Sequence, residues 1–178
     1  MTEKSLSPEI KARIVELRPR FPPEHANKAL CIPVLWMAQK QFGIVDDEVC
    51  DVVAQALSLP PAHVLGVATF YTMFNTKPVG RYHLQVCTNI GCQILGGYEV
   101  FNHCKRRLGV GNHGTTDDGK ITLSEVECLA ACGYGPVAQI AEKQEPDVPL
   151  YFENLDVERI DKIIAALEDD RIPTELGG

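Results

Sequence analysis

The chain of 178 residues contains no apolar run approaching the roughly 18 residues of a membrane span. Its first stretch, MTEKSLSPEIKARIVELRPRFPPE, carries charges throughout and lacks the apolar core and small-residue cleavage site of a secretory signal. These two absences predict a cytoplasmic protein, in which thiols stay reduced. Positive charge is also scarce. Lys and Arg number 17 against 24 Asp and Glu, a formal net charge of −7, which argues against nucleic acid as a partner. The one compact basic run, Lys105-Arg106-Arg107, reads as a solvated helix face. There is no internal repeat and no low-complexity segment. Seven cysteines, an odd number, do not make a closed disulfide framework. What is present is a 45% hydrophobic content, enough to bury the core of one large domain or two small ones.

The first half has helical periodicity. Ser7-Pro8 offers an N-cap followed by proline at the first helical position, and Ile10, Ile14 and Leu17 fall on one stripe before Pro22-Pro23. A second helix is expected over about 28–42, with Leu30, Val34, Leu35, Ala38 and Phe42 on one side, Gly43 as its stop, and Pro33 in its first turn or kinking it. A third is expected to start after Asp46 or Asp47 and to bury Val49, Val52, Val53, Ala56 and Leu57. Pro61 then opens a short fourth through Val64, Val67 and Ala68. Phe70, Tyr71 and Phe74, which follow, suit core packing or a partner contact.

The pattern changes at the turn-rich stretch Lys77-Pro78-Val79-Gly80, after which RYHLQVC alternates as a strand does. A helix over about 97–108, a turn at Asp118-Gly119 into a strand ending at Cys128, short strands in VAQIAE and VPLYFE, and a closing helix carrying Val157, Ile160, Ile163, Ile164 and Leu167 follow. That order matches a thioredoxin-like α/β layer. The expected organisation is therefore a helical bundle domain over 1–79, a thioredoxin-like domain over 80–170 and a loose tail over 171–178.

Two thiol pairs carry the chemistry. CTNIGC spans Cys87 to Cys92, and CLAAC spans Cys128 to Cys132. In a thioredoxin-like sheet the two strands that lead into these pairs can lie side by side, which gathers four sulfurs at one edge. A [2Fe–2S] cluster needs two thiolates on each iron and suits two separate pairs. Gly91, Gly96 and Gly97 flank the first pair, and Gly133 and Gly135 follow the second, so peptide N–H groups could approach the sulfurs unhindered by Cβ atoms. The same spacing also satisfies a tetrahedral structural zinc, and buried thiols or disulfides remain a third reading. The opening C-x4-C lacks the C-x2-C that follows it in plant-type ferredoxins, and no Cys-x-His pair suggests a Rieske centre. Cys31, Cys50 and Cys104 sit singly in helical patterns and read as small core residues. The five histidines show no ligand or catalytic spacing. Gly109-x-Gly111-x-x-Gly114 follows a helix, where a dinucleotide site requires a strand. No catalytic residue is expected.

These motifs resemble, in order along nearly the whole chain, those of the 24-kDa-type subunit of respiratory NADH:quinone oxidoreductase, complex I. CTNIGC and CLAAC are similar to its cluster motif, VATFYTMF to a helix-end signature, GKITLSEVECLAAC to the approach to the second pair, and YFENL to the stretch before the final helix. The resemblance implies a helical domain followed by a thioredoxin-like [2Fe–2S] ferredoxin domain, with one [2Fe–2S] cluster held by Cys87, Cys92, Cys128 and Cys132. It further implies docking on a flavoprotein subunit that holds FMN, binds NADH and carries its own iron–sulfur cluster, and through it on the larger iron–sulfur subunit. The host is then the peripheral arm of a membrane-bound complex. Related modules serve soluble NAD-linked hydrogenases and formate dehydrogenases, and a zinc-stabilised interaction module is the reading from another class. Three departures stand out: Ala130 occupies a position where the family commonly has Gly, Gly135 one where Ala commonly precedes the proline, and AEKQEPDVP looks longer than usual. They leave the four cysteines intact and bear on the hydrogen bonding of the second loop.

Overall fold

The structure, a computed structural model, describes residues 4–177. The chain divides between Pro78 and Val79 into two compact units.

The first unit is helical. α1 (Pro8–Leu17) starts where the Ser7 hydroxyl accepts the Ile10 N–H at 3.3 Å and buries Ile10 and Ile14. The helix expected over 28–42 is two helices, α2 (Ala26–Ala29) and α3 (Cys31–Phe42). Pro33 explains the break, because it has no N–H to donate to the Ala29 carbonyl in a continuous helix. Gly43, at φ 71°, ends α3 as expected. α4 (Asp47–Leu57) is capped by Asp46, whose carboxylate accepts the Val49 N–H at 3.0 Å, and α5 (Pro61–Phe70) opens on proline. Leu30, Val34, Leu35, Val49, Val53, Leu57 and Val64 form the core. Phe74 joins them, edge-on to Trp36 with ring centroids 5.5 Å apart, whereas Phe70 and Tyr71 are exposed. Cys31 and Cys50 are buried in this core.

The second unit is a mixed sheet under two helices. β1 (Tyr82–Cys87), α6 (Ile90–Ile94), α7 (Gly97–Leu108), β2 (Gly114–Thr115), β3 (Ile121–Val126), β4 (Ala138–Glu142), β5 (Glu145–Phe152) and α8 (Val157–Glu168) follow in order. The strand order is β2-β3-β1-β4-β5, with β1 and β3 parallel and the other pairs antiparallel. Side chains alternate across the sheet. One face presents Leu84, Val86, Ile121, Leu123 and Ile140 to Val100, Phe101 and Cys104 of α7 and to Ile160, Ile163 and Ile164 of α8. On the other face lie His83 and Gln85 of β1 and Thr122 and Ser124 of β3, a polar seam closed by hydrogen bonds. His83 Nε2 lies 2.8 Å and His113 Nδ1 3.1 Å from the Ser124 hydroxyl.

Two details differ from the sequence reading. β3 ends at Val126, two residues before Cys128; the Val126 carbonyl accepts the Thr88 N–H at 3.0 Å, and the chain then leaves the sheet. Cys92 lies within α6. Residues 171–177, read as a loose tail, carry a 3-10 turn over Thr174–Leu176. Ile172 and Leu176 pack on the core, and the Leu176 carbonyl accepts a hydrogen bond from Arg159 at 2.6 Å. Residues 1–3 of the expected first domain and residue 178 of that tail lie outside the described residues.

Candidate metal centre

Parallel pairing of β1 and β3 builds the site. Cys87, the last residue of β1, is in register with Val126, the last of β3, so both strands release their loops at the same edge of the sheet. Cys92 follows Cys87 through Thr88 and the first turn of α6. Cys128 lies two residues beyond β3, and Cys132 opens a short 3-10 turn over Cys132–Tyr134. The loops touch. A Cβ placed on Gly91, between the first two cysteines, would stand 3.9 Å from the Cys132 Cβ, and one placed on Gly135 would stand 3.4 Å from the Cys92 sulfur.

Within each loop the thiols are paired. Cys87 raises the Cys92 pKa and Cys128 that of Cys132, Cys87 also acts electrostatically on Cys132, and the Cys87 thiol donates to the Glu127 carbonyl of the second loop at 3.6 Å. The two pairs differ in burial: Cys87 and Cys92 are each 3% exposed, while Cys128 and Cys132 are open to solvent. Burial first, and the Cys87 thiol second, push the Cys92 thiol up to about 11. Cys128 is the largest cause of the rise at Cys132. Free of metal, both are neutral thiols near pH 7, and binding a metal displaces their protons.

Backbone groups already act on the sulfurs. The Ala130 N–H donates to the Cys128 sulfur at 3.4 Å, and the Val137 backbone lowers the Cys92 pKa, opposing the effect of burial. The glycines act differently from one another. Gly97 admits the carbonyls of Cys87 and Cys92 against the start of α7, where a Cβ would meet them at 2.8 and 2.9 Å, and Gly135 makes room for Cys92 and Leu95. Nothing lies within 4 Å of a Cβ on Gly133. Sequence reasoning missed Ala130 as a donor, since attention to glycine passes over an alanine. It missed as well the Thr88 hydroxyl, which donates to Glu125 at 2.7 Å and ties the first loop to β3.

The donor set fits a binuclear cluster. Among the described residues, no group of three or more Cys, His, Asp or Glu side chains is drawn together closely enough to hold a metal ion. What the edge offers is two thiol pairs, as a cluster with two ligands on each iron demands, and an N–H group directed at the Cys128 sulfur against its negative charge. The profile of the family described as thioredoxin-like [2Fe-2S] ferredoxin matches residues 17–168.

The chain belongs to that family.

Curated relatives of this chain match most of its length. The E-type subunit of NADH-quinone oxidoreductase from Rickettsia conorii is 40% identical over 87% of this chain and 89% of its own. A subunit of the same type from Rhizobium meliloti is 39% identical over 78% of each chain. The resemblance read from the motifs therefore holds across the chain, as does the fold class. Among solved structures, a chain of NAD+-reducing [NiFe]-hydrogenase in the air-oxidized state aligns with a TM-score of 0.67 and 23% identity over 84% of this chain. That likeness is one of fold, and this chain spans a quarter of the hydrogenase chain. The relatives support an iron–sulfur electron-transfer subunit of an oxidoreductase complex. No helix of the described residues is long and apolar enough to cross a membrane.

Proposed function

We propose that the chain is the [2Fe–2S] subunit of the NADH-oxidising module of complex I and holds one cluster through Cys87, Cys92, Cys128 and Cys132. When bound, the cluster supplies one-electron exchange with FMN in a partner flavoprotein subunit, helping to separate the two electrons of a hydride. The observation that carries the reading is the parallel register of β1 and β3, which delivers both thiol pairs to one edge.

The chain's own residues divide the work. Cys87 and Cys92 are screened from water by Val137, Val126 and Tyr151. Cys128 and Cys132 stand at the surface, on the side from which an electron arrives. The Ala130 N–H opposes negative charge at the Cys128 sulfur. Around this edge Ile90, Ile94, Leu95, Tyr98 and Tyr134 are all exposed, Ile90 and Ile94 by 71% and 77%. An apolar rim beside a redox site suits a protein partner. We assign it to the FMN- and NADH-binding flavoprotein, through which the chain meets the larger iron–sulfur subunit in the cytoplasmic peripheral arm.

Anaerobic purification followed by iron, sulfide and metal analysis tests this. The expected protein is reddish, contains two irons and two sulfides per chain as the cluster requires, bleaches with dithionite and gains an EPR signal on reduction. It co-purifies with the flavoprotein partner. A colourless protein containing zinc would refute the reading.

A further inference from the structure

Five described residues other than glycine have positive φ: Ser58, His113, Ala130, Asn154 and Asp170. Four have polar side chains, and Ser58 ends a helix. Ala130 stands apart. At φ +59° it sits in the left-handed region, which L residues rarely adopt, with no side-chain hydrogen bond to favour that conformation. It lies midway between Cys128 and Cys132, in a loop open to solvent, and its N–H points at the Cys128 sulfur 3.4 Å away. The sulfur in this structure is a thiol. As a metal-bound thiolate it is the stronger acceptor of that N–H.

Resting on the proposed function, we propose that Ala130 is a positioning residue: its left-handed backbone aims its N–H at the Cys128 sulfur and thereby raises the reduction potential of the bound cluster. The physical link is charge. Reduction adds an electron to an already negative group, and a fixed donor at one sulfur favours the more negative state. The Cβ takes no part, so what matters at position 130 is the tolerance of a residue for positive φ. Glycine and asparagine tolerate it, while branched and bulky residues do not.

The test uses the full-length, cluster-loaded protein as four variants: unmodified, Ala130→Gly, Ala130→Asn and Ala130→Val. Each is assayed for iron and sulfide and titrated anaerobically by EPR. Gly and Asn should titrate with the unmodified protein, and Val at a potential lower than the spread among those three. If Ala130→Val retains too little iron to titrate, Ala130→Leu takes its place. An averse variant that loads fully at the unmodified potential overturns the proposal, and so does a shift in Ala130→Gly as large as in Val. An unmodified chain without iron and sulfide refutes the proposed function itself. A loaded chain with a flat variant series refutes only the role of Ala130.

Discussion

The two thiol loops leave neighbouring strands at the same edge, yet they are built on different principles. The first departs from the central strand β1. Its position is set by the sheet, through Cys87 N–H to the Val137 carbonyl at 2.9 Å and Thr88 N–H to the Val126 carbonyl at 3.0 Å. The first turn of α7 closes on it from the other side. The second loop follows β3 outward and takes its shape largely from its own backbone, with a left-handed Ala130 and a 3-10 turn, and is tied down by hydrogen bonds from the Cys87 thiol to the Glu127 carbonyl at 3.6 Å and from Asn154 N–H to the Tyr134 carbonyl at 2.7 Å. One pair is thus fixed and dry, the other adjustable and wet. In the electron carrier proposed above, the division would let the buried pair anchor the group and the exposed pair face a partner.

The most severe way to break the comparison is to remove a thiol from each side. Cys87→Ser and Cys128→Ser should each lose most iron and sulfide, since either leaves one iron short of a ligand. Cys104→Ser, a change at a fully buried core site, should retain both while lowering stability by about 1–3 kcal/mol through the buried hydroxyl. Equal iron and sulfide in the three proteins would end the assignment of ligands. A gentler contrast comes from alkylation of the cluster-free chain at pH 8. Cys128 and Cys132 are accessible, whereas Cys92 is shielded and its thiol is held at about 11, so little of it is thiolate. Peptide mapping should find the outer pair modified at least tenfold faster than Cys92. Uniform rates would show that the inner loop opens as freely as the outer.

Acid should loosen the seam between the strands that carry the loops. Burial, with a smaller contribution from nearby His113, lowers the His83 pKa from 6.5 to about 4, and the ring bonds to Ser124 across the β1–β3 boundary. The unfolded chain therefore binds this proton more readily than the folded one. Stability contributed by neutral His83 is present above about pH 6.5 and is lost as pH falls towards 4, by on the order of 3 kcal/mol over the full span. Urea midpoints at pH 7 and pH 5 should draw together in His83→Gln. A variant with the same pH dependence as the parent would assign the acid sensitivity to other groups.

Much of this site could be read from the chain, and what could not has a physical reason. The cysteine spacing and the apolar stripes of α1, α4, α7 and α8 are local, and local patterns survive in a sequence. The break between α2 and α3 was signalled by Pro33, although propensity alone does not say whether a proline near a helix start is absorbed or interrupts it. β2, two residues long, exists only because it pairs with β3. Which thiol pair is buried depends on the order of strands in the sheet, which no local pattern encodes. Ala130 is the clearest case: a left-handed alanine is rare enough that nothing in LAA announces it.

The glycines give the finest test of a fixed inner loop against an adjustable outer one. A Cβ at Gly97 would approach the carbonyls of Cys87 and Cys92 to 2.8 and 2.9 Å, and both are backbone atoms that cannot swing aside. Gly97→Ala must then shift the loop or the start of α7, at a cost of about 2 kcal/mol, offset by less than about 1 kcal/mol of helix propensity. A Cβ at Gly133 meets nothing within 4 Å, and its φ is not positive. Gly133→Ala should therefore leave stability unchanged or raise it by about 0.5 kcal/mol through the unfolded chain. Thermal melts of the two variants, with iron content measured alongside, should show lowered stability and slower cluster loading for Gly97→Ala alone. If Gly133→Ala is the more damaging, the outer loop is the rigid one, and the division of labour between the two pairs is reversed.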